Sequence, residues 1–226
     1  MNTRLFLFSV CAAVVLAACT PSESEKAVDA KEAGEAAVAA VTAETYMVQS
    51  EATTLNWKGS KKVGDDEHYG TIMVSDGSMN VEGGNLTAGT FTIDMSSIKN
   101  VDIEDAEYNA KLVGHLAGTD FFDVATYPTA KFEITEVTAT ENDTTGATHM
   151  ISGNLTIKAT TKQITIPAKV SMEGGMFKAM SNFAVNRADF DVQYGSETFF
   201  DDLADKVIND DIEFDLTLVA AKAEGA

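Results

Sequence analysis

Cysteine is almost absent from this sequence: 226 residues hold two, Cys11 and Cys19. Cys11 lies inside an apolar N-terminal run, so a chain cut ahead of Cys19 keeps one thiol and can form no internal disulfide. Basic residues are also few, 16 Lys and Arg against 35 Asp and Glu, a net charge of -19. Such a surface repels phosphate backbones, which excludes nucleic acid as a partner, and it reads as a soluble, self-repelling exterior. Histidine is scarce: His68, His115 and His149 stand isolated, and neither G-x-S-x-G nor H-E-x-x-H occurs. No catalytic constellation emerges, so the expectation is a protein that is not an enzyme and needs no cofactor or metal. Asp201, Asp202, Asp205, Asp210 and Asp211 crowd together but lack the glycine of an EF-hand loop. They read as a solvated face, with weak adventitious calcium binding as the alternative.

Long apolar runs are missing too. Leu5 to Ala18 follows Arg4 and is too short for a membrane span, but it has the length of a signal-peptide core. It ends in Leu16-Ala17-Ala18-Cys19, which resembles a bacterial lipobox and implies lipidation at Cys19. An ordinary secretory signal cut near Ala18 is the alternative. Thr20 rather than aspartate follows the cysteine, so the resemblance to lipoproteins implies the periplasmic side of the envelope and anchoring at the outer membrane. Residues 20–44 are rich in Ala, Glu, Ser and Lys and have no aromatics until Tyr46. Little apolar surface is available there to offset the entropy of ordering, so a flexible tether with transient helix is expected. The organisation expected is a leader over 1–19, a tether over 20–44 and one domain over 45–221.

What the domain does have is period-two alternation. Leu55 and Trp57 share one face, as do Ile72 and Val74, then Phe91, Ile93 and Met95. Leu155 and Ile157 are expected to follow a turn at Gly153-Asn154. Ile164, Ile166, Ala168 and Val170 come next, followed by a Gly174-Gly175 hairpin and then Phe177, Ala179, Phe183 and Val185. A break in the pattern between Met180 and Val185 predicts a bulge or a bend. Ile212, Phe214, Leu216 and Leu218 close the series. About eight one-sided strands must share one interior, which predicts an all-β antiparallel barrel with one or two short helices.

The chain is organised around His115 to Thr135. A short helix is expected from Asn109 to Ala117, with Leu112 and Leu116 on one face and Gly118 as its stop. Phe121 and Phe122 follow, and Tyr127-Pro128 forces an extended or turning backbone. The chain then leaves as a strand with Phe132 and Ile134 on one face. A second helix is expected from Glu197 to Val207, on the spacing of Phe200, Leu203 and Val207.

Several pieces together resemble the YceI-like family of bacterial lipid- and polyisoprenoid-binding proteins. They are Trp57-Lys58-Gly59 with His68-Tyr69-Gly70, then Gly89 to Ile98, and Asp120-Phe121-Phe122-Asp123 with Tyr127-Pro128. Gly153 to Ile157, Asn186 to Phe190 and Asp210 to Ile212 complete the pattern in the same order. The resemblance implies a lipocalin-like barrel that encloses a long isoprenoid chain in the periplasm. The departures are the lipobox and a longer link from Trp-Lys-Gly to His68, which bears on the shape of one barrel mouth.

An isoprenoid tail asks for aromatic and branched aliphatic walls. The wall candidates are Phe91, Ile93, Phe121, Phe122, Phe132, Ile134, Ile164, Ile166, Phe183, Phe214 and Leu216. Each either touches ligand or merely fills the core. Arg187 either meets a polar head or ties its loop to a carboxylate such as Asp189 or Asp191. The reading that results is a lipid-anchored carrier or sequestering protein for a polyprenyl or quinone-type lipid. Its rivals are a filled barrel serving as an envelope interaction module and an enzyme acting on a lipid, which would need a His–carboxylate pair at the pocket mouth.

Overall fold

The computed structural model describes residues 26–64, 66–141 and 145–224. The proposed leader and Cys19 lie outside that range. Strand β1 (Ala27–Val28) is followed by β2 (Glu44–Val48) and β3 (Thr54–Ser60), which are separated by a single 3-10 turn. The long strands β4 (Glu67–Glu82) and β5 (Asn85–Asn100) precede helix α1 (Ala106–Ala117). Strands β6 (Thr129–Ala139), β7 (His149–Ile157), β8 (Thr160–Glu173), β9 (Met176–Asn186) and β10 (Asp211–Lys222) complete the chain.

Neighbouring strands from β4 to β10 pair antiparallel, and β10 pairs back onto β9, β2 and β3. Because β2 and β3 share one position between β10 and β4, the sheet closes as an eight-stranded barrel. Closure leaves no long edge to protect. Tight turns at one end use Gly83-Gly84 and Gly174-Gly175, whose φ values of 57°, 88°, 59° and 80° lie in the region glycine tolerates best. The other end carries β3–β4, β5–α1–β6 and β9–β10, while the β6–β7 connection, residues 140–148, lies at the glycine-turn end.

The helix begins three residues before the expected start because Asp105 caps it. Its carboxylate accepts from the N–H groups of Glu107 and Tyr108, both at 3.0 Å. The Asn109 side chain donates to the carbonyls of Asn100 and Ile103 and so fixes the helix to the end of β5.

Four local expectations are corrected. Glu197–Val207 is not a helix; it holds a turn over 197–199 and a 3-10 segment at Ala204–Lys206, with Asp202 and Ala204 at positive φ. Tertiary hydrogen bonds win there: Val207 accepts from Lys62 N–H, and Ile208 donates to Gly195. Gly153-Asn154 is no turn but lies inside β7, and the chain reverses at Lys158 instead. A Cβ on Gly153 would stand 2.3 Å from Phe132 Cζ, so the glycine makes room for that ring. The bulge between Met180 and Val185 is absent, since β9 and β10 stay in register from Asn186 to Met176. The inward position there is Ser181, whose hydroxyl donates to the Pro167 carbonyl.

The fourth concerns the expected tether. From Ala27 to Ala37 it is laid across the barrel wall as a strap. β1 runs parallel to β9 at Ala184 and Val185, and Lys31 exchanges two 2.9 Å backbone bonds with Gln163 of β8. Gly34 forms a reciprocal pair with the Asn154 amide on β7, and Ala37 N–H donates to Ile134 beside the β6 bulge. The strap sits over the seam where β8 and β9 part after pairing Lys169 with Met180. Its few apolar side chains, Val28, Ala30 and Ala37, pack against the core, Glu32 pairs with Lys162 at 3.0 Å, and the rest of its docking is hydrogen bonding by its backbone that composition does not reveal.

Candidate functional site: an apolar chamber with one polar mouth

The barrel interior is packed at one end and hollow above it. At the glycine-turn end, Tyr46, Met79, Val81, Phe177 and Ala220 are buried, and the Tyr46 and Phe177 rings lie 6.3 Å apart. Above this floor is a cavity of about 420 Å³, within the range of small-molecule pockets. All the wall candidates read from the sequence border it. They divide by burial. Phe91, Phe121, Ile134, Ile164 and Ile166 are buried, whereas Ile93, Phe122, Phe132, Phe183, Phe214 and Leu216 are only partly buried although they line the chamber. Inward side chains remain accessible because they face empty space rather than neighbours.

The aromatic wall follows from strand register. Trp57, Phe214 and Phe183 are partners across β3, β10 and β9, and the last two rings stack at 5.4 Å. Phe91 and Phe132 face each other in the same way, 6.4 Å apart. Helix α1 supplies Leu112 and Leu116 to the chamber. Trp57, Met95, Ile98, Leu155 and Leu218 also line it and were not singled out, although they carry the same inward alternation.

The lining residues that are exposed, among those described, are Lys61 and Asp66 of the β3–β4 connection and His68 at the start of β4. The chamber therefore opens there. Lys61 and Asp66 pair at 2.7 Å, and that contact raises the lysine pKa and lowers that of the carboxyl. His68 Nδ1 lies 2.8 Å from Asp102, which also accepts from Tyr69 N–H at 2.8 Å and from the Asn100 amide. Burial opposes ionisation of Asp102, but the hydrogen bonds from His68, Tyr69 and Asn100 outweigh it and hold the carboxyl below its usual range.

Beside the mouth, Arg187 is buried and belongs to the chamber wall. It binds neither Asp189 nor Asp191: its ion-pair partner is Asp210 at 3.1 Å. It also donates to the carbonyls of Val192, Tyr194, Ile208 and Asn209, and so gathers the whole β9–β10 loop. Asp210 in turn accepts from Ser196 and Thr198 at 2.8 Å. Burial pushes the Arg187 pKa down while Asp210 supports its charge. Phe121 lies under the guanidinium at 5.6 Å, and His115 stands edge-on to Phe121 and Tyr194 at 5.3 and 4.4 Å. The aspartate crowd is thus divided, with Asp210 on Arg187 and Asp211 accepting from Ala27 N–H. No three His, Cys, Asp or Glu side chains among the described residues are placed to share an ion.

The described residues form an all-β, closed eight-stranded antiparallel barrel around an apolar chamber with a polar mouth. The chain belongs to the YceI-like domain family, whose pattern it matches over residues 46–220. Among relatives, it is 34% identical over 106 residues to a UPF0312 protein of Azotobacter vinelandii, covering 47% of this chain and 50% of that one. It is 35% identical over 114 residues to a UPF0312 protein of Pseudomonas aeruginosa, covering 50% and 54%. The aligned part thus spans about half the length of those relatives. Burkholderia cenocepacia BcnA shares the fold with a TM-score of 0.57 at 22% identity, over 77% of this chain and 99% of that one. A polyisoprenoid binding domain from Saccharophagus degradans, implicated in plant cell wall breakdown, does so at 0.53 and 17%, over 79% and 98%.

Proposed function

We propose that this protein is a periplasmic binding protein, anchored to the outer membrane through Cys19, that encloses an isoprenoid-like lipid for transport, storage or sequestration. The observation that carries the proposal is the chamber: apolar, closed at the floor, and lined by inward aromatics of which Phe122, Phe132, Phe183 and Phe214 are only partly buried. A methyl-branched tail needs that wall, and burial at roughly 25 cal/mol per Å² binds it without a single hydrogen bond. The mouth supplies the polar contacts for a quinone or phosphate head, from Lys61 and His68. A barrel acting only as a filled interaction module has no use for such a chamber.

The test is mass spectrometry of lipids extracted from the natively purified full chain, with Leu216→Trp as the plug. Leu216 lines the chamber and is only partly buried, so the indole fills open space. The variant is expected to lose its lipid at a stability cost under about 1 kcal/mol, against about 1–3 kcal/mol for overpacking a filled core. Severe unfolding with normal lipid content in the folded fraction would return the barrel to the filled-module reading.

One observation favours a second reading, an enzyme acting on a lipid: the His68–Asp102 pair stands at the mouth. Asp102 orients the ring through Nδ1. Asp102 is equally committed to Tyr69 N–H, which makes the pair a brace between β4 and the β5–α1 link. Incubating loaded protein and His68→Gln side by side separates the two roles. Conversion of the lipid by the parent alone would establish chemistry, whereas intact lipid in both supports binding.

A further inference from the structure

Every markedly exposed aromatic among the described residues stands at the mouth end of the barrel. Tyr69 begins β4, Tyr108 lies on α1, and Tyr194, Phe199 and Phe200 lie in the β9–β10 loop, each between 39% and 65% exposed. Val63 and Val101 join them on the adjacent connections. The glycine-turn end presents no exposed aromatic among the described residues. Scattered apolar residues on a surface are ordinary, but aromatics confined to one rim are the pattern of a lipid interface, where a ring sits among head groups.

A second observation concerns the chain's beginning. The strap seats Ala27 beside Ala184 and Asp211, near the mouth-end termini of β9 and β10. Only residues 20–26 separate Cys19 from that point. A chain of that length spans at most about 27 Å, so an anchor at Cys19 holds the mouth-end portion of the barrel close to the bilayer.

The geometry points to a membrane-docking surface: the aromatic rim around the mouth rests on a phospholipid bilayer, so that lipid enters the chamber without crossing water. This inference rests on the lipid-binding reading above and adds the orientation and the partner. The rim is also acidic: Glu67, Glu107 and Glu197 are paired with Lys58, Lys111 and Lys62, but the exposed Asp201 and Asp202 beside Phe199 and Phe200 have no ion pair among the described residues, and the chain's net charge is -19. Anionic head groups would be repelled, so the surface takes a zwitterionic bilayer.

The test places an environment-sensitive dye on the full, anchored chain in phosphatidylcholine vesicles carrying doxyl-labelled lipid, at Phe200→Cys in one preparation and Met172→Cys in another. Met172 is exposed at the opposite end, one residue before Glu173 ends β8. Quenching and a blue shift at position 200 alone are expected. Quenching at position 172, or at neither, would overturn the orientation, as would a shift that depends on protein concentration without lipid, which marks a second copy of the chain. The exposed-rim variant Tyr108→Ser, Phe199→Ser, Phe200→Ser should load lipid from zwitterionic vesicles about tenfold more slowly while reaching the same final content. Unchanged loading in that variant sinks the docking surface. A parent that never loads sinks the chamber reading instead, and the dye result still decides orientation.

Discussion

The two ends of this barrel solve different problems with the same strands. At the floor, two-residue glycine turns join β4 to β5 and β8 to β9, and Phe177 and Ala220 are wholly buried. At the mouth, three connections are longer, and the buried residue that organises the β9–β10 loop is a cation, Arg187, held by one carboxylate and four carbonyls. Apolar packing tolerates no opening, because every void forfeits contacts. A hydrogen-bonded cation can instead hold a loop in place while leaving space beside it. The comparison teaches that stability and access are separated along the barrel axis.

That contrast is open to attack from both ends. Arg187→Met should be the most damaging change, about 3–5 kcal/mol, because it leaves the Asp210 carboxylate buried without its partner. Hydrogen exchange should then rise first over residues 187–210, ahead of the floor strands. Phe177→Ala should cost about 4 kcal/mol, seen as a cooperative loss in denaturant unfolding, since a fully packed ring leaves a cavity. Phe214→Ala sharpens the contrast. Its ring already faces the chamber, so the lipid-free protein should lose about half as much, while lipid content falls sharply.

Removing residues 1–43 should leave a folded barrel that is weaker by about 2 kcal/mol, because the strap's bonds to β6, β7 and β8 each contribute modestly. Faster exchange at Gln163 and Asn154, with an unbroken unfolding transition, is the expected signature. The smallest effect belongs to Asp102. Its carboxyl is held below the unfolded value, so its contribution is present above about pH 4 and is lost as pH falls through the folded pKa. Asp102→Asn should cost at most about 1 kcal/mol at pH 7 and converge with the parent as pH falls through the folded pKa, measured by denaturant titration at each pH.

The barrel and its wall were legible because alternation is a property of single strands. Phe132 and Ile134 point inward whatever they pair with, and the residues read as wall all border the chamber. Register and tertiary docking were not legible. Asn154 reads as a turn residue because its use as a partner for Gly34, 120 positions earlier, leaves no local trace. Phe200, Leu203 and Val207 have helical spacing, yet the local bonds of Phe200 to Ser196 and of Lys206 to Leu203 stay isolated turns, and Val207 is bonded to Lys62. Ser181 looked like a fault in the pattern only because a polar side chain occupies an inward position. The mouth was visible only as a polar connection, since neither Lys61 nor Asp66 reveals a void beside it.

The strap also sets an order of events in time. Ala27 and Val28 leave the ribosome before any barrel strand, yet their partners are Ala184 and Val185 in the next-to-last strand. Until those residues exist, the earliest part of the described fold has nowhere to bind. Contacts of such sequence separation form slowly, because a long loop must close before they are rewarded. Strap seating therefore reports completion: a protease that cuts at Lys31 should distinguish finished molecules from unfinished ones.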